Sequence, residues 1–125
     1  MKRKTLKPPH LIQGQLAEKQ GYRFLRRQGL RLLERNYNSR YGEIDLIMED
    51  GKTVVFVEVR YRNSTHYGGA IESIDQHKQR RLHHTAEHFL QTQKKYSARP
   101  CRFDVIAIGP DKQGNPRVQW IPNAF

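Results

Sequence analysis

Two apolar segments carry acidic side chains at spacings that could do chemistry. Residues 42–47 read Gly-Glu-Ile-Asp-Leu-Ile, and residues 54–60 read Val-Val-Phe-Val-Glu-Val-Arg. A short run with turn character, Glu49-Asp50-Gly51-Lys52, joins them. Burying carboxylates is costly, and such groups are typical of metal sites and active sites. The two segments therefore contain the first candidates for a functional site.

The geometry of the turn decides whether these acids meet. The Asp50-Gly51 dipeptide favours a two-residue hairpin loop, which would put Glu43 opposite Glu58 and Asp45 opposite Phe56. Because side chains alternate across a strand, three acids and one cation would then share one side of the sheet: Glu43, Asp45, Glu58 and Arg60. A three-residue loop would break this parity, so the convergence depends on the turn.

A carboxylate cluster of this kind could hold a divalent cation. Mg²⁺ prefers oxygen ligands and takes one or two protein carboxylates, and cross-strand neighbours are close enough to share an ion. We predict a Mg²⁺ (or Mn²⁺) site formed by Asp45 and Glu58, with Glu43 as a third ligand or bonded to the backbone. The alternative is that Asp45 and Glu58 pair with arginines on an exposed face.

These residues resemble a known superfamily. Gly-Glu-x-Asp-Leu-Ile, a short turn and Phe-Val-Glu-Val-Lys/Arg are similar to the PD-(D/E)XK nucleases, which include Holliday-junction resolvases, and more closely to the bacterial YraN family. The resemblance runs from about Gly14 to Phe125, and further motifs support it at residues 35–37, 67–68, 78–82, 102–105 and 123–125. It implies an α/β, restriction-endonuclease-like mixed sheet in the order α-β-β-β-α-β-β, with helices packed on the sheet. It also implies a metal-dependent endonuclease that hydrolyses phosphodiester bonds in DNA, including branched DNA, and a homodimer.

The resemblance assigns further catalytic residues. Asp45 and Glu58 match the metal ligands of the superfamily, and Glu18 matches a helix glutamate that approaches the metal in junction-resolving relatives. Glu18 could instead be a solvated helical residue that pairs with a neighbour. Arg60 stands where the superfamily usually has lysine, and arginine keeps its charge, so it can stabilise phosphate but is a poor general base. Lys78 could replace that lysine, or its stem could pack while its amine reaches water.

Composition points to a polyanionic partner. The 125 residues carry 23 Lys and Arg against 12 Asp and Glu, a formal net charge of +11. Such a basic balance favours nucleic acid, DNA before RNA, although excess cations could merely aid solubility. The candidate contacts for nucleic acid are Arg62, Tyr67, Arg80 and Arg81.

The sequence also limits the cellular compartment and the domain organisation. Cys101 is the single cysteine, the basic N-terminus is not followed by an apolar run, and no stretch approaches the ~20 apolar residues of a membrane span. We expect a cytoplasmic protein that does not enter membranes. Its length predicts one domain over residues 11–125, after a flexible basic tail at residues 1–10.

Hydrophobic periodicity predicts the elements that must position these residues. Helices are expected at residues 11–28 and from a capping box at Ser73 and Gln76 to about Lys95. Strands are expected at 31–38, 41–49, 52–62, 102–108 and 117–121, with a loop over 63–72. His84 and His88 are four apart on the second helix, but we expect an exposed polar face there and no zinc site.

A second class of function stays open at this point. The chain could be a nucleic-acid-binding module that has the nuclease fold and no longer cuts. Arg60 in place of lysine favours that alternative, whereas Asp45, Glu58 and Glu18 favour the nuclease.

Overall fold

A mixed α/β fold is seen in the computed structural model, which describes residues 9–61 and 69–125. Helix α1 (Pro9–Arg27) precedes three strands, β1 (Arg31–Ser39), β2 (Gly42–Asp50) and β3 (Thr53–Tyr61). The short helix α2 (Gly69–Glu72) and the long helix α3 (Gln76–Thr92) follow, and a 3-10 turn (Lys94–Tyr96) leads to β4 (Cys101–Pro110) and β5 (Pro116–Ile121). Two of the predicted nucleic-acid contacts, Arg62 and Tyr67, lie outside the described residues.

The five strands form one sheet in chain order. The pairs β1–β2, β2–β3 and β4–β5 are antiparallel, whereas β3 and β4 are parallel and are joined by the crossover that contains α3. The predicted mixed sheet with packed helices is confirmed. None of the described helices is long and apolar enough to cross a membrane.

The register predicted for the β2–β3 hairpin is wrong by one residue on each strand. Asp50 pairs with Thr53 and Ile47 with Phe56, so Gly51 and Lys52 form the loop in place of Asp50 and Gly51. Gly51 has φ +59° at the first loop position, which is the position that a type II′ turn gives to glycine. The loop still has two residues, so the predicted parity survives over the paired segments 46–50 and 53–57.

Two apolar layers enclose the sheet. On one face α1 packs on β3 and its neighbours through Ala17, Leu25 and Val57; on the other, α3 packs through Leu82, Ala86 and Phe89. Ile44 packs in the α3 layer, whereas Leu46 packs in the α1 layer. Residues two apart in a regular strand share a face, so the alternation of β2 is interrupted around Asp45.

Helix α3 begins differently from the prediction. Its N-cap is Asp75, whose carboxylate accepts a hydrogen bond from Lys78 N–H at 2.8 Å, so the capping box predicted at Ser73 is wrong. The predicted loop over 63–72 also ends in a helix, because α2 occupies Gly69–Glu72. The new start places Lys78 in the first turn of α3, facing the sheet.

Candidate active site

A cavity of about 340 Å³ opens where α1, the start of β2, the end of β3 and the start of α3 meet. Its lining is predominantly polar and charged, and consists of Glu18, Gly42, Glu43, Asp45, Glu58, Lys78, Arg81, Leu82 and Thr85. Four acids and two cations from four different elements therefore converge on one space. A fold that needed this region only for stability would have little reason to place four carboxylates there.

Three of the acids come within reach of a single ion. Carboxylate oxygens of Glu18, Glu43 and Asp45 all lie within 4.8 Å of one another. Glu18 comes from α1, which can approach the sheet because Gly21 has no side chain: a Cβ there would lie 3.3 Å from Val59 Cγ2. The close approach of α1 at Gly21 thus brings Glu18, one turn earlier, towards the acids of β2.

Asn36 joins this group from β1. In the orientation that satisfies its neighbours, its amide nitrogen donates to Glu43 Oε1 at 2.8 Å and to Glu18 Oε2 at 3.2 Å. Its backbone has φ +48°, a left-handed conformation that asparagine tolerates better than most residues. This local irregularity in β1 aims the amide at two carboxylates that would otherwise repel each other.

Asp45 occupies the centre of the acids. Its Oδ2 accepts a hydrogen bond from Val59 N–H at 2.8 Å, which ties β2 to β3 just beyond the last ladder pair. Burial, followed by the charge of Glu58 and a hydrogen bond shared with it, raises the pKa of Asp45 to about 9. The Val59 hydrogen bond opposes that rise without cancelling it. Without a nearby cation, Asp45 is therefore a neutral acid at pH 7.

Glu18 is perturbed in the same direction. Burial raises the pKa of Glu18, the charges of Glu43 and Glu58 add to the rise, and hydrogen bonds from Asp45 and Asn36 oppose it. Two acids with raised pKa values side by side show an electrostatic imbalance, in which burial first and neighbouring carboxylates second disfavour the ionised forms. A divalent cation placed among them would reverse this imbalance.

Glu58 is the acid that the protein does neutralise. Its Oε2 accepts from Lys78 Nζ at 2.9 Å and from Arg60 Nη2 at 3.1 Å, and its side chain is only 7% exposed. Arg60 Nε is buried and has no hydrogen-bond partner among the described residues. A buried donor without an acceptor is costly, so this nitrogen is a ready partner for an oxygen of a bound molecule.

The donor chemistry of the acids fits Mg²⁺ or Mn²⁺. Every candidate ligand is a carboxylate oxygen, and such hard oxygen donors suit these ions. The most compact set is Glu18, Glu43 and Asp45, whereas the sequence analysis had grouped Glu43, Asp45 and Glu58. Glu58 shares a hydrogen bond with Asp45, so it lies next to this set, and both of its ion pairs are made by Oε2.

The structure brings most of the predicted site residues together. Glu18, Glu43, Asp45, Glu58, Lys78 and Arg81 line the cavity, and Arg60 reaches it through Glu58. Lys78 pairs with Glu58 and does not reach freely into water, and Glu18 faces acids and not a solvated neighbour. Arg80 is exposed on α3 and is not part of the lining.

Sequence reasoning missed the part played by Asn36. The motif at residues 35–37 was noted as a family feature, but nothing in it signalled an amide aimed at two carboxylates. Asn36 lies in a strand of alternating polar residues, where asparagine is unfavourable, and that mismatch was the available signal. Thr85, buried behind the cavity on α3, was also missed, because threonine in a helix carries no distinctive signal.

Comparison with known proteins identifies the relationship. Residues 17–108 match the family described as "Uncharacterised protein family UPF0102". A UPF0102 protein of Alcanivorax borkumensis is 53% identical over 112 residues, which cover 90% of each chain. One from Pseudomonas fluorescens is 48% identical over 116 residues, covering 93% of this chain and 94% of the relative. The match spans the cavity residues from Glu18 to Thr85, and this protein therefore belongs to the UPF0102 (YraN) family.

Proposed function

We propose that the protein is a metal-dependent endonuclease that hydrolyses phosphodiester bonds in DNA, including branched DNA. The observation that carries the proposal is the uncompensated acid group, in which Glu18, Glu43 and Asp45 present oxygens within 4.8 Å of one another. Burial and the neighbouring Glu58 raise the pKa of Asp45, and Glu18 adds to the rise, so ionised Asp45 is disfavoured without a cation. Perturbed acids in a cleft favour a functional site over a structural one.

The topology supports a restriction-endonuclease-like fold. An α-β-β-β-α-β-β order, here with the short α2 inserted before α3, is the order implied by the resemblance to PD-(D/E)XK nucleases. The acids lie where the pairing of β2 with β3 ends, beyond the Leu46–Val57 pair, so the two strands separate around the cavity. This parting gives a phosphate access to side chains that a continuous sheet would cover.

The residues divide into an acidic and a basic side. Glu18, Glu43 and Asp45 would hold Mg²⁺ or Mn²⁺, which when bound supplies charge stabilisation and a more acidic water. Arg60 and Lys78 would bind oxygens of the phosphate and offset its developing charge. Arg60 keeps its proton, so in this proposal it stabilises charge and does not accept a proton.

Lys78 is the better match to the usual lysine of the superfamily. Its amine meets the same Glu58 oxygen as Arg60 does, although it comes from α3 and not from β3. We propose that the lysine has moved from the strand to the helix. DNA is the expected partner because of the net charge of +11. We also propose a cytoplasmic location and a homodimer.

Cleavage assays with a matched variant test the proposal. Linear, flapped and four-way DNA, and RNA, are incubated with the protein in Mg²⁺, Mn²⁺ or EDTA. We expect metal-dependent cleavage by the wild type, loss of it in Asp45→Asn, and no loss in Glu34→Gln, which removes an exposed acid on β1. Cleavage that persists in EDTA or in Asp45→Asn would overturn the assignment.

A non-catalytic binding module is the second candidate. The observation in its favour is that both cations already pair with Glu58, and that Arg60 replaces the usual lysine. This alternative predicts salt-dependent DNA binding with no cleavage in any metal. It gains further support if Arg60→Lys creates an activity that the wild type lacks.

A further inference from the structure

A second cavity, of about 400 Å³, lies next to the acidic one along α3. It is lined by Arg40, Tyr41, His84, Glu87, His88 and Gln91. Tyr41 directly precedes Gly42, and His84 lies one residue before Thr85, and both Gly42 and Thr85 line the acidic cavity. The two cavities are therefore lined by adjoining residues of the β1–β2 turn and of α3.

Two stacked rings and a guanidinium group lie together in this second cavity. The Tyr41 and His84 rings are stacked, with centroids 5.2 Å apart and an interplanar angle of 29°. The Arg40 guanidinium carbon lies 4.9 Å from the centroid of the Tyr41 ring, and Arg40 Nη2 donates to Tyr41 Oη at 2.7 Å. Arg40 and His84 are exposed, so both can be reached from solvent. We call Arg40, Tyr41 and His84 the aromatic platform.

Hydrogen bonds hold the platform in place before any ligand arrives. The Ser39 hydroxyl accepts from Tyr41 N–H at 3.1 Å and lies 3.2 Å from the Thr85 hydroxyl on α3. This link fastens the β1–β2 turn to the helix that carries His84. A rigid set of planes loses little side-chain entropy on binding, which favours recognition by stacking.

The polar groups around the platform suit a base better than a phosphate. Glu87 and Gln91 offer oxygens and an amide to a base edge, whereas the carboxylate of Glu87 would repel a phosphate. The Arg81 guanidinium lies at the border of the two cavities, because a Cβ on Gly42 would be 3.8 Å from Arg81 Nε. Arg81 could thus bind the backbone between a base on the platform and a phosphate beside the acids.

The spacing is compatible with adjoining nucleotides. Arg81 and His84 are about one helical turn apart, and one turn rises about 5.4 Å. Stacking requires the face of a base, and a paired duplex hides its faces between neighbouring pairs. The platform can therefore take a base only where the strand is unpaired.

We propose that the aromatic platform binds an unpaired nucleotide next to the phosphate in the acidic cavity. The inference rests on the proposed function, because it needs a phosphodiester at the acids. It narrows the substrate to nucleic acid with a single-stranded segment at the cleavage point, such as a flap. Neither the platform nor this preference follows from the acids alone.

Binding assays without cleavage test the platform. Fluorescence anisotropy in EDTA, and again in Ca²⁺, compares a single strand, a duplex and a flapped duplex of equal length. We expect the wild type to bind the single strand and the flap more tightly than the duplex. His84→Ala and Tyr41→Leu should each weaken the unpaired substrates by about 5- to 100-fold, the scale of one stacked base, and leave the duplex within about 2-fold.

Two controls separate stacking from charge and from folding. Tyr41→Phe keeps the ring and should retain the preference, whereas Lys52→Ala removes an exposed charge at the opposite end of the hairpin and should weaken all substrates alike. A 2-aminopurine placed at the unpaired position should be quenched on binding to the wild type and to Tyr41→Phe, but not to Tyr41→Leu. His84 is exposed, so His84→Ala keeps the test valid if Tyr41→Leu fails to fold.

The outcomes are distinguishable from those of the cleavage assays. A wild type without preference for unpaired strands, or variants that leave the preference unchanged, would overturn the platform even if the protein cleaves DNA. A wild type that shows the preference and the quenching but cuts nothing in any metal would overturn the nuclease and leave the platform standing in a binding module.

Discussion

At the scale of single residues, the acids of the cavity lie close together at a cost in stability, which a bound cation would offset under the proposed function. Asp45 is held among Glu18, Glu43 and Glu58, with the Val59 N–H as its backbone donor. Functional sites often keep like charges together at a cost in stability. The next predictions follow from that cost.

Asp45→Asn should stabilise the metal-free protein at pH 7–8. The amide removes the group whose ionisation burial and Glu58 oppose, and it can still accept from Val59 N–H. For a domain of this size, about 1 kcal/mol of relief corresponds to a rise in Tm of roughly 4 °C. Mn²⁺ should raise the Tm of the wild type by mass action but not that of Asp45→Asn. An equal metal response in both proteins, measured by thermal denaturation, would contradict the ligand set.

The same group predicts a pH dependence with a definite sign. The unfolded chain releases the Asp45 proton near its ordinary pKa of 3.8, whereas the folded protein holds it until about pH 9. Between those values the folded state binds more protons, so the Asp45 contribution is full below pH 4 and is lost progressively as pH rises towards 9. The stability difference between Asp45→Asn and the wild type should therefore grow over that range in denaturant titrations. Because the metal competes with the proton, Mn²⁺ affinity should increase over the same range.

Substituting each of the two cations that pair with Glu58 tests which one contributes to the proposed cleavage. If Arg60 only stabilises phosphate charge, Arg60→Lys should retain any activity and Arg60→Ala should lose about 10²-fold or more. If Lys78 takes the role of the superfamily's usual lysine, Lys78→Ala should lower the cleavage rate at least as much as Arg60→Ala does, with little change in DNA binding. Single-turnover cleavage rates measure both, and unchanged rates in both alanine variants would remove this pair from the mechanism.

At the scale of elements, α1 and the β2–β3 hairpin set the site. Gly21 lets α1 lie close to β3, and that approach determines where Glu18 sits. The register of the hairpin determines where Asp45 and Glu58 sit.

Gly21→Val should therefore act on the site from a distance. The added side chain would press on Val59 and Ile106, and overpacking of this kind costs about 1–3 kcal/mol. Displacing α1 should also weaken Mn²⁺ binding, because Glu18 moves away from Glu43 and Asp45. Gly14→Ala is the matched control on the same helix: no atom lies within 4 Å of its new Cβ, so stability should hold or rise slightly. Metal titrations of the two variants should differ, and equal affinities would contradict the dependence on α1.

The hairpin illustrates which features of the site were predictable from the sequence. The even loop length was predictable from the Asp50-Gly51 turn signal, whereas the change of alternation around Asp45 was not. The register was not predictable from the dipeptide, because glycine serves either loop position; here Gly51 takes the first, with φ +59°. The contact between Glu18 and the hairpin acids depends on helix-to-sheet packing, which periodicity does not specify. Asn36 depends on a left-handed residue within β1, which local propensity argues against.

At the scale of the whole molecule, charge and sheet edges govern association. The net charge of +11 accompanies an exposed edge strand, β1, in which Arg31, Glu34 and Arg35 face solvent and the pairing is irregular between Leu32 and Glu34. Charges and irregularities on an edge strand oppose pairing with a second sheet. We therefore expect that any homodimer forms through another surface than β1.

DNA affinity should fall steeply with salt. Each phosphate neutralised by Lys or Arg releases counterions, so the logarithm of the binding constant should decrease linearly with the logarithm of salt concentration. The preference between sequences should be weak, because backbone contacts carry little sequence information. Titrations from low to moderate salt test this, and a nearly constant affinity would argue against an electrostatic mode.

The crossover between β3 and β4 has a consequence for the order in which the chain folds. Neighbouring segments along the chain form β1–β2–β3 and β4–β5, whereas the β3–β4 pairing joins Val54 to Cys101 and closes the long segment that contains α3. Closing that segment is an entropically costly step, since its contacts are much more distant in sequence than those of the antiparallel pairs. The acids come from α1, β2 and β3, but Lys78 docks only with α3. Glu58 would then gain its Lys78 partner only when α3 docks on the sheet.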